Sequence, residues 1–132
     1  MRSLVLFVVG LLVGALCTVI AINALNRGTA YDHAVMAMMG QQMKALDRSI
    51  KQSRCTSADL TPRLQTLRFV ANDIEPAFAD MQEEAQFGRY ASDLRSAADA
   101  ALMTPPASCT AATATLSNLD KACDSCHRDY KN

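Results

Sequence analysis

Cys123-Asp-Ser-Cys126-His127-Arg-Asp-Tyr130 is the stretch of this sequence around which the rest of the chain can be interpreted. Two cysteines three positions apart, with histidine directly after the second, form the attachment signature of a c-type haem. Each thiol can add to one vinyl group of the porphyrin, and the histidine can then donate an imidazole nitrogen to the iron. We therefore predict one covalently attached haem c, held through Cys123 and Cys126, with His127 as the proximal iron ligand.

Two other uses of a Cys-x-x-Cys pair have to be weighed. A zinc site needs two further ligands, and the other histidine of the chain, His33, is far from the pair in sequence. A thioredoxin-like pair would begin a helix after a strand, and the sequence shows no strand pattern. A haem-free helical module, whose cysteines serve redox chemistry or metal binding, stays open as a third class.

The length of 132 residues and the hydrophobic content of 50% suit one domain with a compact core. The formal net charge is zero, and Arg2 and Arg27 are the only charged residues before Asp32, so the rest of the chain has a slight acidic excess. That balance argues against nucleic acid as a partner. The sequence contains no Ser-His-Asp set, shielded carboxylate pair or phosphate-binding glycine loop, so we do not expect an enzyme.

Residues 1–30 are predicted to export or anchor the chain. A positive start at Arg2 precedes a run from Leu4 to Ala24 that is apolar apart from Thr18 and Asn23. This run is longer than the core of most cleaved signal peptides and approaches the length that spans a bilayer. We expect an uncleaved anchor in preference to a cleaved signal peptide. Either arrangement puts residues 31–132 in the periplasm, soluble or tethered to the inner membrane.

Beyond residue 30, four stretches carry apolar residues at alternating spacings of three and four, the period of an amphipathic helix. These stripes are Met36, Met39, Met43, Leu46 and Ile50; Leu64, Leu67, Ala71, Ile74 and Phe78; Phe87, Tyr90, Leu94, Ala97 and Ala101; and Ala112, Leu116, Leu119, Cys123, Cys126 and Tyr130. Four such helices with short connections predict an all-α fold. We expect an antiparallel up-down-up-down four-helix bundle over residues 31–132, with the haem site near its C-terminus.

Prolines mark three predicted boundaries. Thr61-Pro62 predicts the start of the second helix, with threonine as cap and proline in the first turn. Pro76 should kink or end that helix, and the Thr104-Pro105-Pro106 sequence should end the third.

Cys55 and Cys109 fall in the first and third connections of this topology, which lie at the same end of such a bundle. An exported chain with two spare thiols there is a candidate for a Cys55–Cys109 disulfide. The alternative is two unrelated free thiols.

The C-terminal motif, together with the first helix, resembles the class II c-type cytochromes, the cytochrome c′ family. Cys123 to Lys131 is similar to the family ending CxxCHxxYR, and Tyr31 to Ala45 is similar to the family's first helix, which often reads close to YRxxxMxxMxxxMxA. The segment Asp73 to Phe78 has the family's proline near the end of the second helix. This resemblance spans most of residues 31 to 131.

The resemblance implies roles for individual residues. Cys123, Cys126 and His127 would hold the haem, and Met36 would face the opposite side of the iron. In low-spin members a methionine there is the sixth ligand and the protein transfers electrons, whereas five-coordinate members bind NO or CO. Tyr130 would pack beside the proximal histidine or hydrogen-bond at the pocket wall. Family members are often homodimers.

The chain departs from the family pattern at three places. Lys131 replaces an arginine, and Asp32 replaces an arginine that could contact a haem propionate. The segment between the second and third helices is also shorter than in typical members.

The expected function is one-electron transfer to redox partner proteins of the periplasm or inner membrane. The alternative is a five-coordinate protein that binds NO or CO. We favour a role for Met36 as the sixth ligand over the alternative that it only packs in the core. His33 is expected at the surface or at a haem propionate rather than on the iron. Phe87 and Tyr90 are expected to pack against the haem, and Glu83 and Glu84 to lie on solvated helix faces.

Overall fold

The computed structural model describes residues 2–27 and 31–130, and every regular element within these ranges is helical. Its five longer helices are α1 (Arg2–Arg27), α2 (Tyr31–Lys51), α3 (Ser57–Val70), α4 (Ala85–Met103) and α5 (Cys109–Tyr130). Between α3 and α4 the chain forms a 3-10 turn (Ala71–Asp73), a one-turn helix (Ile74–Ala77) and another 3-10 turn (Ala79–Met81). The predicted all-α class is therefore confirmed.

Helix α1 is the apolar N-terminal segment. Its window Leu6–Asn23 is long and apolar enough to cross a membrane, and none of it is buried against the rest of the chain. A signal sequence has the same properties, so α1 can be either a signal or an anchor. The predicted boundary at residue 30 lies outside the described residues.

Helices α2 to α5 pack around a shared apolar core. Helix α2 contacts α3 and α5, and helix α4 also contacts α3 and α5, so each of the four lies beside two others. The most deeply buried side chains of this core are Leu60, Leu64, Leu67 and Leu119. The stripes predicted from periodicity are buried or pack against the buried residues, with Tyr90 lying at the edge of a cavity instead.

Helix α3 begins earlier than Thr61-Pro62 predicts, and Thr61 is not its cap. The cap is Thr56, whose Oγ1 accepts a hydrogen bond from the Asp59 backbone N–H at 3.3 Å, while the Thr56 N–H donates to Asp59 Oδ2 at 3.2 Å. This reciprocal pair satisfies two backbone donors and allows Leu60 to be buried in the first turn. Pro62 therefore lies inside the helix, beyond its first turn.

The effect of Pro76 appears one turn before the proline itself. Regular α3 ends at Val70, and the 3-10 turn Ala71–Asp73 contains Asn72, whose carbonyl would face the Pro76 ring in an α-helix. Arg95 of α4 stabilises this segment. Its guanidinium makes two hydrogen bonds of 2.7 Å to the Glu75 carboxylate and a third, of 3.3 Å, to the Ala71 carbonyl.

Cys55 and Cys109 form a disulfide, with their Cα atoms 5.0 Å apart. Cys55 lies in the connection between α2 and α3, as predicted, whereas Cys109 is already the first residue of α5. Helix α4 ends at Met103, directly before the Thr104-Pro105-Pro106 sequence, as predicted.

Candidate functional site

The Cys-x-x-Cys-His motif lies in the last turns of α5. Cys123, Cys126 and His127 follow one another at spacings of three and one, which puts all three on one face of the helix. That face is turned toward α2 and α4. Both cysteines are free and partly buried.

A cavity of about 290 Å³, which we name the Cys123 cavity, opens between these helices. Its wall on α5 includes Cys123, Cys126 and His127, and its wall on α2 includes Met36 and Gly40. The remaining lining residues are Met39, Met43, Lys44, Ile74, Tyr90, Ala91, Leu94, Asp120, Ala122 and Asp124. The structure thus brings Met36 to the same cavity as the three motif residues, although 87 positions of sequence or more separate them.

A second cavity, of about 520 Å³, lies next to the first, and we name it the Tyr130 cavity. Met36, Cys126 and His127 border both cavities, so these three residues mark the junction between them. The other residues that line it are Asp32, His33, Ala37, Phe78, Met81, Phe87 and Tyr130. Together the two cavities form a crevice between α2 and α5 that is mostly apolar.

The residues of this crevice fit a haem c. Two thiols are available for thioether bonds, an imidazole lies on the same helix face, and a thioether lies across the crevice on α2. The apolar walls suit the faces of a porphyrin ring. Lys44 at the rim can pair with a propionate, whereas Asp120 and Asp124 on the same rim disfavour one.

The two thiols have raised pKa values. Burial, followed by the nearby Asp120 and Asp124 carboxylates, raises the pKa of Cys123 from 9.0 to about 11. Burial and then Asp129 raise the pKa of Cys126 as well. A redox-active Cys-x-x-Cys pair has a lowered thiol pKa. The electrostatics of this site therefore do not resemble those of a thioredoxin-like pair.

Four aromatic rings contact one another along the crevice: Phe78, Phe87 and Tyr130 line the Tyr130 cavity, and Tyr90 lines the Cys123 cavity. The ring centroids are 5.7 Å apart for Phe78 and Phe87, 5.4 Å for Phe87 and Tyr130, and 6.2 Å for Tyr90 and Tyr130. The two tilted or edge-to-face contacts of Phe87 are within the range that stabilises aromatic pairs. Tyr130 thus lies at the pocket wall, close to His127 in the same helix.

Two carboxylates hold the tyrosine hydroxyls of this wall. Tyr130 donates a hydrogen bond of 2.7 Å to Glu84 Oε2, and Tyr90 donates one to Asp129. Glu84 is exposed, as predicted, but it also accepts the hydrogen bond from Tyr130 and so links the start of α4 to the end of α5. No local sequence pattern could have indicated this, because Glu84 and Tyr130 are 46 positions apart.

His33 lies at the outer end of the Tyr130 cavity with its side chain 85% exposed, and its Nδ1 is 4.0 Å from Asp32 Oδ1. This position is compatible with the surface role predicted for it. Lys131, the residue expected to replace the family's arginine, lies outside the described residues.

Across residues 2–27 and 31–130, no group of three or more His, Cys, Asp and Glu side chains is arranged to hold a metal ion. The zinc alternative therefore has no ligand set in the described part of the chain. A haem site differs, because the porphyrin supplies four of the iron ligands and the protein needs to add only one or two.

No match was found among protein-family models, curated proteins or solved structures. The likeness to class II cytochromes therefore rests on the motifs of the sequence.

Proposed function

We propose that this chain is an exported monohaem c-type cytochrome that carries single electrons. Helices α2 to α5 would form an antiparallel up-down-up-down bundle, with haem c bound covalently to Cys123 and Cys126. His127 would be the proximal ligand and Met36 the distal one. The observation that carries the proposal is the meeting of these four residues at one apolar crevice.

The crevice suits electron transfer for physical reasons. When bound, the haem supplies an iron that cycles between Fe(III) and Fe(II). The two residues that would hold the iron lie in regular helices, His127 in α5 and Met36 in α2, so ligation would not require a loop to rearrange when the charge of the site changes. The apolar walls exclude water, and the partly exposed rim leaves a short path to a docked redox partner.

The N-terminal helix supports the location that this function needs. Haem attachment to a Cys-x-x-Cys-His motif outside the cytoplasm requires export, which α1 can direct. If α1 stays attached, it would confine the carrier near oxidases or reductases of the inner membrane. If α1 is removed, the carrier would be a soluble periplasmic protein.

A second candidate function is the binding of NO or CO at a five-coordinate iron. It is favoured by Gly40, which lies one turn after Met36 in the wall of the Cys123 cavity. A methyl group built on Gly40 would meet no protein atom within 4 Å, so the wall of α2 leaves room for a small molecule beside Met36. This candidate differs from the first by a single bond, that between the Met36 sulfur and the iron.

Visible spectra of the exported protein, oxidised and reduced and with and without CO, test the two candidates. Sharp α and β bands in the reduced protein, unchanged by CO, are expected for six-coordinate iron. The Met36→Ala variant should then become high-spin and bind CO, whereas Met38→Ala, on the exposed side of α2, should not. A broad reduced spectrum that shifts with CO would remove Met36 as a ligand and make gas binding the better proposal.

A further inference from the structure

The Cys123 cavity has more sulfur donors than a haem attachment site uses. Helix α2 contributes three methionines to its lining, Met36, Met39 and Met43, and helix α5 contributes two cysteines, Cys123 and Cys126. A haem would engage both thiols and at most one thioether. Five residues with sulfur-containing side chains therefore line one cavity of about 290 Å³.

These sulfur atoms come from the facing walls of one packed helix pair. Cys123 and Cys126 are one turn apart on α5, and α5 packs directly against α2. Met36 and Cys126 line both cavities, which puts a methionine of α2 and a cysteine of α5 at the same part of the crevice. A small ion at that point could be bound from both helices.

The donor set selects a soft metal ion. Thiolates bind both Cu(I) and zinc, but thioethers suit Cu(I), whereas zinc is completed by further cysteine, histidine or carboxylate side chains. In the described part of the chain, no three side chains of those zinc-binding types converge. Methionine sulfur is thus the donor that can complete a set of metal ligands with the two cysteines. Ile74, Ala91 and Leu94 line the same cavity and limit the access of water.

We propose that the chain, before haem is attached, binds one Cu(I) ion in the Cys123 cavity through the thiolates of Cys123 and Cys126 and the thioether of Met36. Two copper–thiolate bonds form, and the two thiol protons pass to solvent. The thioether binds through a lone pair without losing a proton. Copper keeps its +1 charge throughout, so no oxidant or reductant is required.

Copper and haem would exclude each other, because thioether formation consumes both thiols. The copper site does not rest on the proposed cytochrome function. A chain that never acquires haem would still have these five sulfur atoms, and a chain that fails to bind copper could still bind haem. The two proposals therefore fail or succeed separately.

An anaerobic competition titration with the Cu(I) chelator bathocuproine disulfonate tests the site. The full-length chain is produced without haem, kept in detergent because of α1, and not treated with thiol reductants, so that the Cys55–Cys109 disulfide is retained. All variants carry Cys17→Ser, since Cys17 is a free and exposed thiol of α1. We expect one Cu(I) per chain, withdrawn from the chelator.

Substitutions then assign the ligands. Cys123→Ser and Cys126→Ser should each abolish uptake. Met36→Leu should weaken the affinity at least about tenfold, because loss of even an outer-shell partner costs a metal site that much. Met38→Leu is the matched control, since it changes an exposed methionine of the same helix and should leave the affinity unchanged. Circular dichroism checks that each variant keeps its helices.

X-ray absorption at the copper edge gives a test that needs no ligand substitution. The Cu(I) complex of the chain, with only Cys17 replaced, should show three sulfur neighbours. Two sulfurs, or a nitrogen or oxygen in the first shell, would overturn the proposed ligand set. Uptake that survives Cys123→Ser, or equal affinities for Met36→Leu and Met38→Leu, would overturn it as well.

Discussion

At the scale of single residues, Tyr130 shows how the crevice wall is held together. Its hydroxyl donates to Glu84, and this hydrogen bond is the largest cause that raises the pKa of Tyr130 from 10.0 to about 12. Glu84→Gln removes the negative charge that opposes ionisation of the phenol. We expect the pKa of Tyr130 to fall toward 10.0 in this variant.

An absorbance titration of the phenolate between pH 8 and 13 measures this shift, with Tyr130→Phe to identify the signal. Glu83→Gln, a change of the same kind at the neighbouring exposed residue, should leave the titration as it is. An unchanged pKa in Glu84→Gln would mean that the hydrogen bond does not persist in solution.

The sequence is informative about single residues only where a motif is local. The prediction that Cys123, Cys126 and His127 form one site needs only their spacing, because adjacent turns of one helix carry them. The partnership of Glu84 with Tyr130 joins two helices, and it depends on how those helices are placed. For the same reason Gln42 was missed: it is buried within the α2 stripe, and its Oε1 has no hydrogen-bond partner in the described structure.

At the scale of helices, the N-terminus of α3 offers a direct comparison between sequence and structure. Thr56→Ala removes the hydroxyl that accepts from the Asp59 N–H, and loss of such a cap costs about 1 kcal/mol. Thr61→Ala changes the threonine that the sequence pattern favoured as cap, but Thr61 lies inside the helix. We expect urea denaturation to show a clear loss of stability for Thr56→Ala and a smaller effect for Thr61→Ala. The reverse order would restore Thr61 as the cap.

The ion pair between Glu75 and Arg95 joins the irregular segment after α3 to α4. Their hydrogen bonds lower the pKa of Glu75 below its ordinary value of 4.5. A lowered native pKa stabilises the fold above pH 4.5, and this contribution is lost as the pH falls through the native pKa. Both side chains are about three-quarters buried, so we expect about 1 kcal/mol at neutral pH.

Glu75→Gln should therefore lose stability at pH 7, and its further loss on acidification toward pH 3 should be smaller than that of the unchanged chain. Urea denaturation at several pH values measures both effects, and Glu83→Gln controls for removal of an acidic charge elsewhere. If the two variants had the same pH dependence, the ion pair would not contribute to the stability of the segment.

Helix boundaries were harder to predict than helix existence. Apolar periodicity correctly indicated four helices after residue 30, because each has to bury one face. The proline rules misplaced the start of α3, since the Thr56–Asp59 capping box outweighs Pro62, which the helix tolerates in its second turn. Pro76 correctly predicted that the helix is interrupted, but the interruption lies about one turn before the proline. The reason is that the proline ring clashes with the carbonyl four residues earlier.

At the scale of the whole molecule, the Cys55–Cys109 disulfide closes the end of the fold away from the Cys-x-x-Cys-His motif. The two cysteines are 54 positions apart, and closing a loop of that length contributes about 4 kcal/mol through the lost entropy of the unfolded chain. The double variant Cys55→Ser/Cys109→Ser should lose about that much in chemical denaturation. Cys17→Ser, outside the packed helices, should lose nothing. Equal stabilities would mean that the disulfide does not form in the exported protein.

The pairing of these cysteines could be anticipated, because the order of helices alone puts the two connections at one end. The crevice could be anticipated only in part. The sequence suggested that Met36 faces the motif, but the split into two cavities and the sulfur-rich wall of one of them follow from the placement of α2 against α5.

The central claim is that haem is attached covalently to Cys123 and Cys126. Intact mass spectrometry of the protein exported by a cell with a c-type haem maturation system tests it most directly. We predict a mass increase equal to one haem, absent from the Cys123→Ala/Cys126→Ala variant and retained by Cys17→Ser. An exported, folded protein of unmodified mass would contradict the account, and a haem-free helical module would then be the better description.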